Sequence, residues 1–193
     1  LVNGKRRHTT ANLAVLSGAY QGAAAADLNF IPMASIGRIE VLTDGAAAQY
    51  GTDAIAGVIN IIMKKADQGG SVSLNGGQYI DGGGQTAALA LNIGMAPVEG
   101  AYLNLTAESK THGFSNRGRA DQRMANPASP SYSAANFAVE SQIPGFPIKN
   151  LISGDAEYRM RTLTYNAGIE LPGDYELYSF GTYGHKDASA YEN

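Results

Sequence analysis

The stretch Ile36-Gly37-Arg38-Ile39-Glu40-Val41-Leu42-Thr43-Asp44-Gly45-Ala46-Ala47-Ala48-Gln49-Tyr50-Gly51-Thr52-Asp53-Ala54-Ile55-Ala56-Gly57-Val58-Ile59-Asn60-Ile61-Ile62 packs several distinct local signals into 27 residues. Arg38 to Leu42 alternates and reads as a strand. Asp44-Gly45 reads as a turn, with Gly45 permitting it. Ala46 to Tyr50 favours a helical turn, and Gly51 is a natural stop after it. Tyr50 can set its ring against the local core. Gly57 marks a place where a second backbone comes close, and the β-branched run to Lys64 reads as a buried strand. Just before this stretch, Pro32 to Ile36 reads as a short helix with proline in its first turn. Leu1 to Arg7 reads as a strand broken by the turn Asn3-Gly4. Together these make a small α+β unit, too short to build a large core of its own.

Composition changes near Lys64-Lys65-Ala66-Asp67-Gln68-Gly69-Gly70. Residues 1–66 carry a net charge of +2 and residues 67–193 one of -5. The second region reads as antiparallel strands at about 71–80, 85–96, 101–113, 158–171 and 175–187. Leu89, Leu91, Ile93 and Met95 alternate with Ala88, Ala90, Asn92 and Gly94. Leu163, Tyr165, Ala167, Ile169 and Leu171 alternate with Thr164, Asn166, Gly168 and Glu170. Each segment is about ten residues long or more, enough to cross a bilayer as a tilted strand. Connections alternate between tight turns (Pro97 to Gly100, Pro172 to Asp174) and longer loops. The loop at 114–157 holds four of the seven prolines, Pro127, Pro130, Pro144 and Pro147. Short turns on one side and long loops on the other are the habit of outer-membrane barrels. Five strands alone would leave open edges, which lipid does not tolerate, so the barrel reading requires further strands.

Composition narrows the function. The 193 residues include no cysteine and no tryptophan, which excludes disulfides, a thiol nucleophile and cysteine metal sites. Charged residues are only 16% and net charge is -3, a poor match to a nucleic-acid binder. His8, His112 and His185 lack metal-site spacing, and no P-loop, GxGxxG or GxSxG motif is present. An enzyme is therefore not expected, nor a cofactor or a metal site. Arg117, Arg119 and Arg123 cluster in the long loop, either as a solvated face or as contacts to an anionic ligand or lipopolysaccharide. Tyr102, Tyr158, Tyr175 and Tyr191 fall near strand ends, which suits an aromatic girdle and equally suits ordinary strand propensity.

Residues 36–62 resemble the plug signature of TonB-dependent outer-membrane receptors. The resemblance rests on Arg38, Glu40, Gly45, Tyr50, Gly51, Gly57 and Asn60 at their spacing, and Leu1 to Arg6 looks like the plug strand that precedes it. It implies an α+β plug, the C-terminal part of which is residues 1–66. Residues 67–193 would then be the first five or so strands of a transmembrane β-barrel, with the plug inside a barrel of about 22 strands. It implies a location in the bacterial outer membrane and energised uptake of a scarce ligand, such as an iron–siderophore, a cobalamin or an oligosaccharide. Any bound iron would belong to the ligand. Implied partners are outer-membrane lipid and the TonB–ExbB–ExbD complex. That complex would act through a box outside this stretch, as would a signal peptide and the first part of the plug. In the family, charged plug residues pair with acidic residues of the barrel wall, and Arg38 and Glu40 match such positions. The family's second common arginine is Thr43 here, so Arg6 or Arg7 would have to replace it.

Leu1 is not a start residue, so the sequence reads as an excerpt, which alone would aggregate through strand edges such as 175–187. The competing reading is a soluble β-rich ligand-binding or adhesin module. It accounts for the alternation and the glycines but not for residues 36–62.

Overall fold

The computed structural model describes residues 1–7, 27–43, 47–51, 54, 56–118, 126–130, 132–142, 144 and 154–190. Their strands are β1 (Ile36–Leu42), β2 (Val58–Met63), β3 (Gly70–Gly77), β4 (Thr86–Met95), β5 (Ala101–His112), β6 (Glu157–Leu171) and β7 (Tyr175–Ser189). The helices are α1 (Ala47–Tyr50) and α2 (Ala134–Glu140), with a single 3₁₀ turn at Met33–Ser35. β1 and β2 form one sheet; β3-β4-β5-β6-β7 form another in sequence order. The chain divides into two units. The first comprises residues 1–74, 88–109 and 160–185, the second residues 75–87, 110–159 and 186–193.

In the first unit, β1 and β2 pair antiparallel, with Leu42 opposite Val58 and Glu40 opposite Asn60. Gly57 is the residue that admits this pairing. Its φ is 131°, and a Cβ there would stand 2.4 Å from the Leu42 carbonyl oxygen. Every other residue type would meet both a strained backbone and a backbone collision. Val2 joins the far side of β2. The Ile61 amide donates to the Leu1 carbonyl at 3.0 Å, and the Asn3 amide donates to the Ile61 carbonyl at 2.9 Å. Asn3 and Gly4 both take positive φ, 46° and 74°, and let the chain turn back tightly from Val2 to Lys5. Val2, Ile31, Ile61 and Met63 make a small apolar core, against which Ile36 and Phe180 pack. The 3₁₀ turn is tied to the end of β2, where the Lys64 amide donates to the Ser35 carbonyl at 2.9 Å.

β4 to β7 invert the usual arrangement. On β6, Thr164 is 1% exposed while its neighbour Leu163 is 53% exposed. The even-numbered face buries Asn92, Asn104, Thr106, Thr162, Thr164 and Asn166; the odd-numbered face exposes Leu89, Leu91, Ile93, Leu163, Leu177 and Tyr183. Some of these buried polar side chains bond one another across strands, while Thr162 Oγ1 and Asn104 Nδ2 find no partner among the described residues. Asn92 Nδ2 donates to Asn104 Oδ1 at 2.7 Å and to Thr106 Oγ1 at 2.8 Å.

In the second unit, the long connection between β5 and β6 contains α2, where the sequence pattern alone had pointed to irregular chain. Ser133 caps it by accepting from the Asn136 amide at 3.4 Å. The helix buries none of its residues, so it has no apolar period from which to be recognised.

Candidate functional site

Two groups of side chains stand out, one in each unit. In the first unit, residues of the β1–β2 region lean on the even-numbered face of β5 to β7. Asn166 Nδ2 donates to the Lys64 carbonyl at 3.0 Å, and Asn3 Nδ2 donates to Asn166 Oδ1 at 3.2 Å. Lys65 Nζ pairs with Glu176 Oε1 at 2.7 Å, and Tyr102 donates its hydroxyl to the same oxygen at 3.2 Å. The ammonium also sits 5.2 Å from the Tyr102 ring centroid. That hydrogen bond from Lys65 to the carboxylate raises the lysine's pKa above the usual value. Gly168 leaves room for Tyr102: a Cβ there would stand 2.6 Å from the ring. A cavity of about 660 Å³ adjoins this contact, lined by Asn3, Gly37, Arg38, Lys65, Glu176 and Tyr178 among others. Phe30 fills the space over Gly184 in the same way, and Lys5 lies 5.9 Å from the Tyr178 ring centroid.

Arg38 and Glu40, which the resemblance assigns to wall contacts, pair with each other within β1. Arg38 Nε donates to Glu40 Oε1 at 2.8 Å, and Asn60 Nδ2 donates to Glu40 Oε2 at 3.0 Å. Those two bonds, Arg38's first, hold the Glu40 carboxyl below its ordinary range. Among the described residues, the ion pair from the β1–β2 region to β7 is made by Lys65, two residues after the end of β2. Asn60 has a second role, since its Oδ1 accepts from the Gly4 amide at 2.9 Å. Tyr50 is 42% exposed and lies outside the apolar core rather than against it. Gly51 takes φ 92° after α1, as a helix stop requires. Gly45 lies outside the described residues.

In the second unit, Asp155 ties three elements together. Tyr79 donates to Asp155 Oδ2 at 2.5 Å, and His112 Nε2 stands 3.3 Å from the same oxygen. The Asp155 amide donates to Ser115 Oγ at 2.8 Å. The tyrosine bond, with smaller help from His112 and Ser115, holds the Asp155 carboxyl below its ordinary range and pushes the Tyr79 phenol up. Arg117 donates to Asp81 Oδ1 at 2.8 Å and lies 4.5 Å from the Tyr79 ring centroid. It therefore braces the 78–85 loop against the long loop. Arg119 and Arg123 lie outside the described residues.

His112 stacks on Tyr158, with ring centroids 5.3 Å apart and planes at 23°. Lys110 and Lys186 flank the same ring at 5.7 and 5.0 Å. Neither ammonium has a carboxylate partner among the described residues. Tyr102 and Tyr158 thus belong to the even-numbered, polar rows of their strands and not to an outward girdle. Tyr175 is exposed, and Tyr191 is outside the described residues. His8 is outside them as well. Among the described residues, no group of three or more acidic or histidine side chains could hold a metal ion.

Lys65, Glu176, Asp155, Lys110 and Lys186 were not expected from the sequence, and Tyr102 and Tyr158 were expected only as strand-end tyrosines. The signal available for the strand residues was their even numbering, which places Tyr102, Lys110, Tyr158, Glu176 and Lys186 in the rows of Asn104, Thr164 and Asn166. Asp155 carried no such signal.

Residues 1–58 match the family model described as the TonB-dependent receptor plug domain. The whole chain resembles solved structures of a ferric enterobactin receptor. A crystal structure of that receptor, PfeA, in complex with BCV-L6 superimposes with a TM-score of 0.68 at 19% identity, over 97% of this chain and 25% of that one. A mutant of the Pseudomonas aeruginosa receptor in complex with enterobactin gives 0.67 at 18% identity over the same shares. This chain therefore spans about a quarter of the length of the chains it matches.

Proposed function

We propose, for a chain that is part of a TonB-dependent outer-membrane receptor, that it contributes plug and wall to the energised uptake of an iron–siderophore complex. Residues 1–66 serve as the C-terminal part of the plug, and residues 67–193 as the first strands of the barrel. One observation carries the reading: a plug-family region seats on strands whose polar face is buried and whose apolar face is exposed. A soluble module would leave Leu91, Ile93 and Leu163 facing water, whereas lipid accepts them. The even-numbered face then lines the lumen.

The choice of ligand among siderophore, cobalamin and oligosaccharide follows the chemistry of the second unit. Lys110 and Lys186 beside Tyr158 offer two ammonium groups without a carboxylate partner among the described residues, and an aromatic platform, which suit an anionic, ring-bearing chelate. Both structural neighbours are ferric enterobactin receptors, which favours the same class. The iron belongs to the cargo and not to the protein.

Uptake of the ligand requires the plug to move, and the plug contacts are of a kind that can be broken. Lys65–Glu176 is a half-exposed pair, worth about 0–1 kcal/mol. Asn3, Asn166 and the Lys64 carbonyl exchange hydrogen bonds that water can replace. Pulling by the TonB–ExbB–ExbD complex would work against such contacts instead of against a continuous apolar core.

The test is uptake of radiolabelled iron as ferric enterobactin by cells carrying the full-length gene as their one receptor. Uptake that depends on both the gene and TonB supports the proposal. Uptake of cobalamin or an oligosaccharide with none of ferric enterobactin would replace the ligand, and TonB-independent uptake would remove the mechanism.

A further inference from the structure

We propose that Arg161 and the groove beside it hold an outer-leaflet lipid, the guanidinium on a headgroup phosphate and the groove along an acyl chain. The proposal rests on the membrane-spanning reading above. Arg161 stands on β6 in the odd-numbered row that continues as Leu163, Tyr165, Ala167, Ile169 and Leu171. From Leu163 to Leu171 a strand rises about 26 Å. At a tilt of about 40° this covers about 20 Å of membrane depth, close to the apolar band of about 25 Å expected of such barrels. Arg161 is the next outward residue beyond that band, on the side of the long connection. Its place is the boundary where lipid headgroups begin.

A depression of about 690 Å³ opens at this point. Leu89, Leu91, Leu163 and Tyr183, all exposed, supply its apolar lining, and Arg161 and His185 lie on its loop side by their strand rows. Glu108 also borders it, but belongs to the row of Asn104 and Thr106 on the opposite face. Among the described residues Arg161 has no carboxylate partner. A planar guanidinium without a carboxylate takes phosphate in a two-point grip. A soluble phosphate would have no use for the groove, and a neutral lipid none for the guanidinium; an amphiphile with an anionic head uses both.

The experiment uses the full-length receptor purified from outer membranes and stripped of lipid by detergent exchange. Bisphosphorylated lipid A or its enzymatically dephosphorylated form is then added, and bound lipid is counted by native mass spectrometry. Wild type is expected to retain the phosphorylated form about tenfold better than the dephosphorylated one. Arg161→Ala should bring the two to parity, and Arg161→Lys should keep a preference of about threefold. Equal retention of both lipids by wild type, or an undiminished preference in Arg161→Ala, would overturn the proposal. Should Arg161→Ala fail to assemble, the wild-type preference and its reduction in Arg161→Lys decide the matter. Recovery of wild type in the outer-membrane fraction is read separately. Its absence there would reject the membrane reading itself.

Discussion

The plug region and the barrel wall use the same two-residue alternation for opposite ends. In β2, Ile61 and Met63 turn inward to meet Val2 and Ile31, as in any soluble sheet. In β6 the buried row is Thr162, Thr164 and Asn166, and the exposed row is apolar. The alternation by itself does not say which face is inside. On the proposed reading the surroundings decide that: lipid on one face of the second sheet and the plug region on the other. Several of these buried polar groups find partners, as at Asn92–Asn104 and Asn166–Lys64, whereas Thr162 Oγ1 has none among the described residues.

The comparison breaks first in the plug. Gly57→Val in the full-length protein should destabilise the plug by about 3 kcal/mol or more, combining a strained φ with collision against Leu42. The expected result is lower surface level and uptake reduced more than tenfold, measured with labelled ligand. Wild-type uptake would show that the plug does not need this close approach.

Adjacent residues of β6 should then show opposite demands. Ala167→Arg, in the middle of the outward row, should cost about 2–4 kcal/mol in a denaturant titration of the vesicle-inserted protein. Ala167→Leu should be close to neutral. Asn166→Leu, one residue away, should cost about 1–3 kcal/mol because Asn3 and the Lys64 carbonyl lose their partner. If leucine were harmless at both positions, the two faces would not differ as described.

Smaller effects belong to the seat. Lys65→Ala and Glu176→Ala should each cost no more than about 1 kcal/mol, with the double variant scarcely worse than either single one. Passive entry of large antibiotics should rise by about twofold in each. Strict additivity of the two substitutions would mean that the pair does not hold the plug.

The smallest effect is on the loops. The Asp155 carboxyl is held low, chiefly by Tyr79. Its contribution is present above the usual carboxylate value of about 3.9 and is lost only as pH falls through the depressed one. Protease nicking of the 113–156 segment should therefore stay constant from pH 7 to about 5 in wild type. In Asp155→Asn it should be raised a few-fold across that whole range. A wild-type increase already between pH 7 and 5 would assign the control to another group.

Much of this architecture was legible because its determinants are local. The strand starts and ends near Thr86, Met95, Ala101 and Leu171 follow from alternation and from turn residues such as Pro97 and Pro172-Gly173. β1, β2 and the turn at Asn3-Gly4 follow from β-branched runs and an Asn-Gly pair. The seat was not legible, because Lys65 and Glu176 are 111 residues apart and only the sheet order brings them together. Arg38 pairs with Glu40 because they are two apart on one strand face, a local contact that alternation alone does not single out. Likewise Tyr102 and Tyr158 look like girdle residues by their place near strand ends. Their even numbering sends them to the polar face instead.

On the proposed reading the odd-numbered row of β4 to β7 faces lipid. Residues 1–193 contain no cysteine; with any cysteine elsewhere in the full-length receptor replaced, single cysteines are placed at 163, 164, 165, 166 and 167 in outer-membrane vesicles. Nitroxide labels at these positions are then compared for collision with oxygen, which concentrates in lipid, and with a water-soluble nickel chelate. A two-residue period is expected, with oxygen dominating at 163, 165 and 167 and suppressed at 164 and 166. A reversed period, or high nickel accessibility at all five positions, would contradict it.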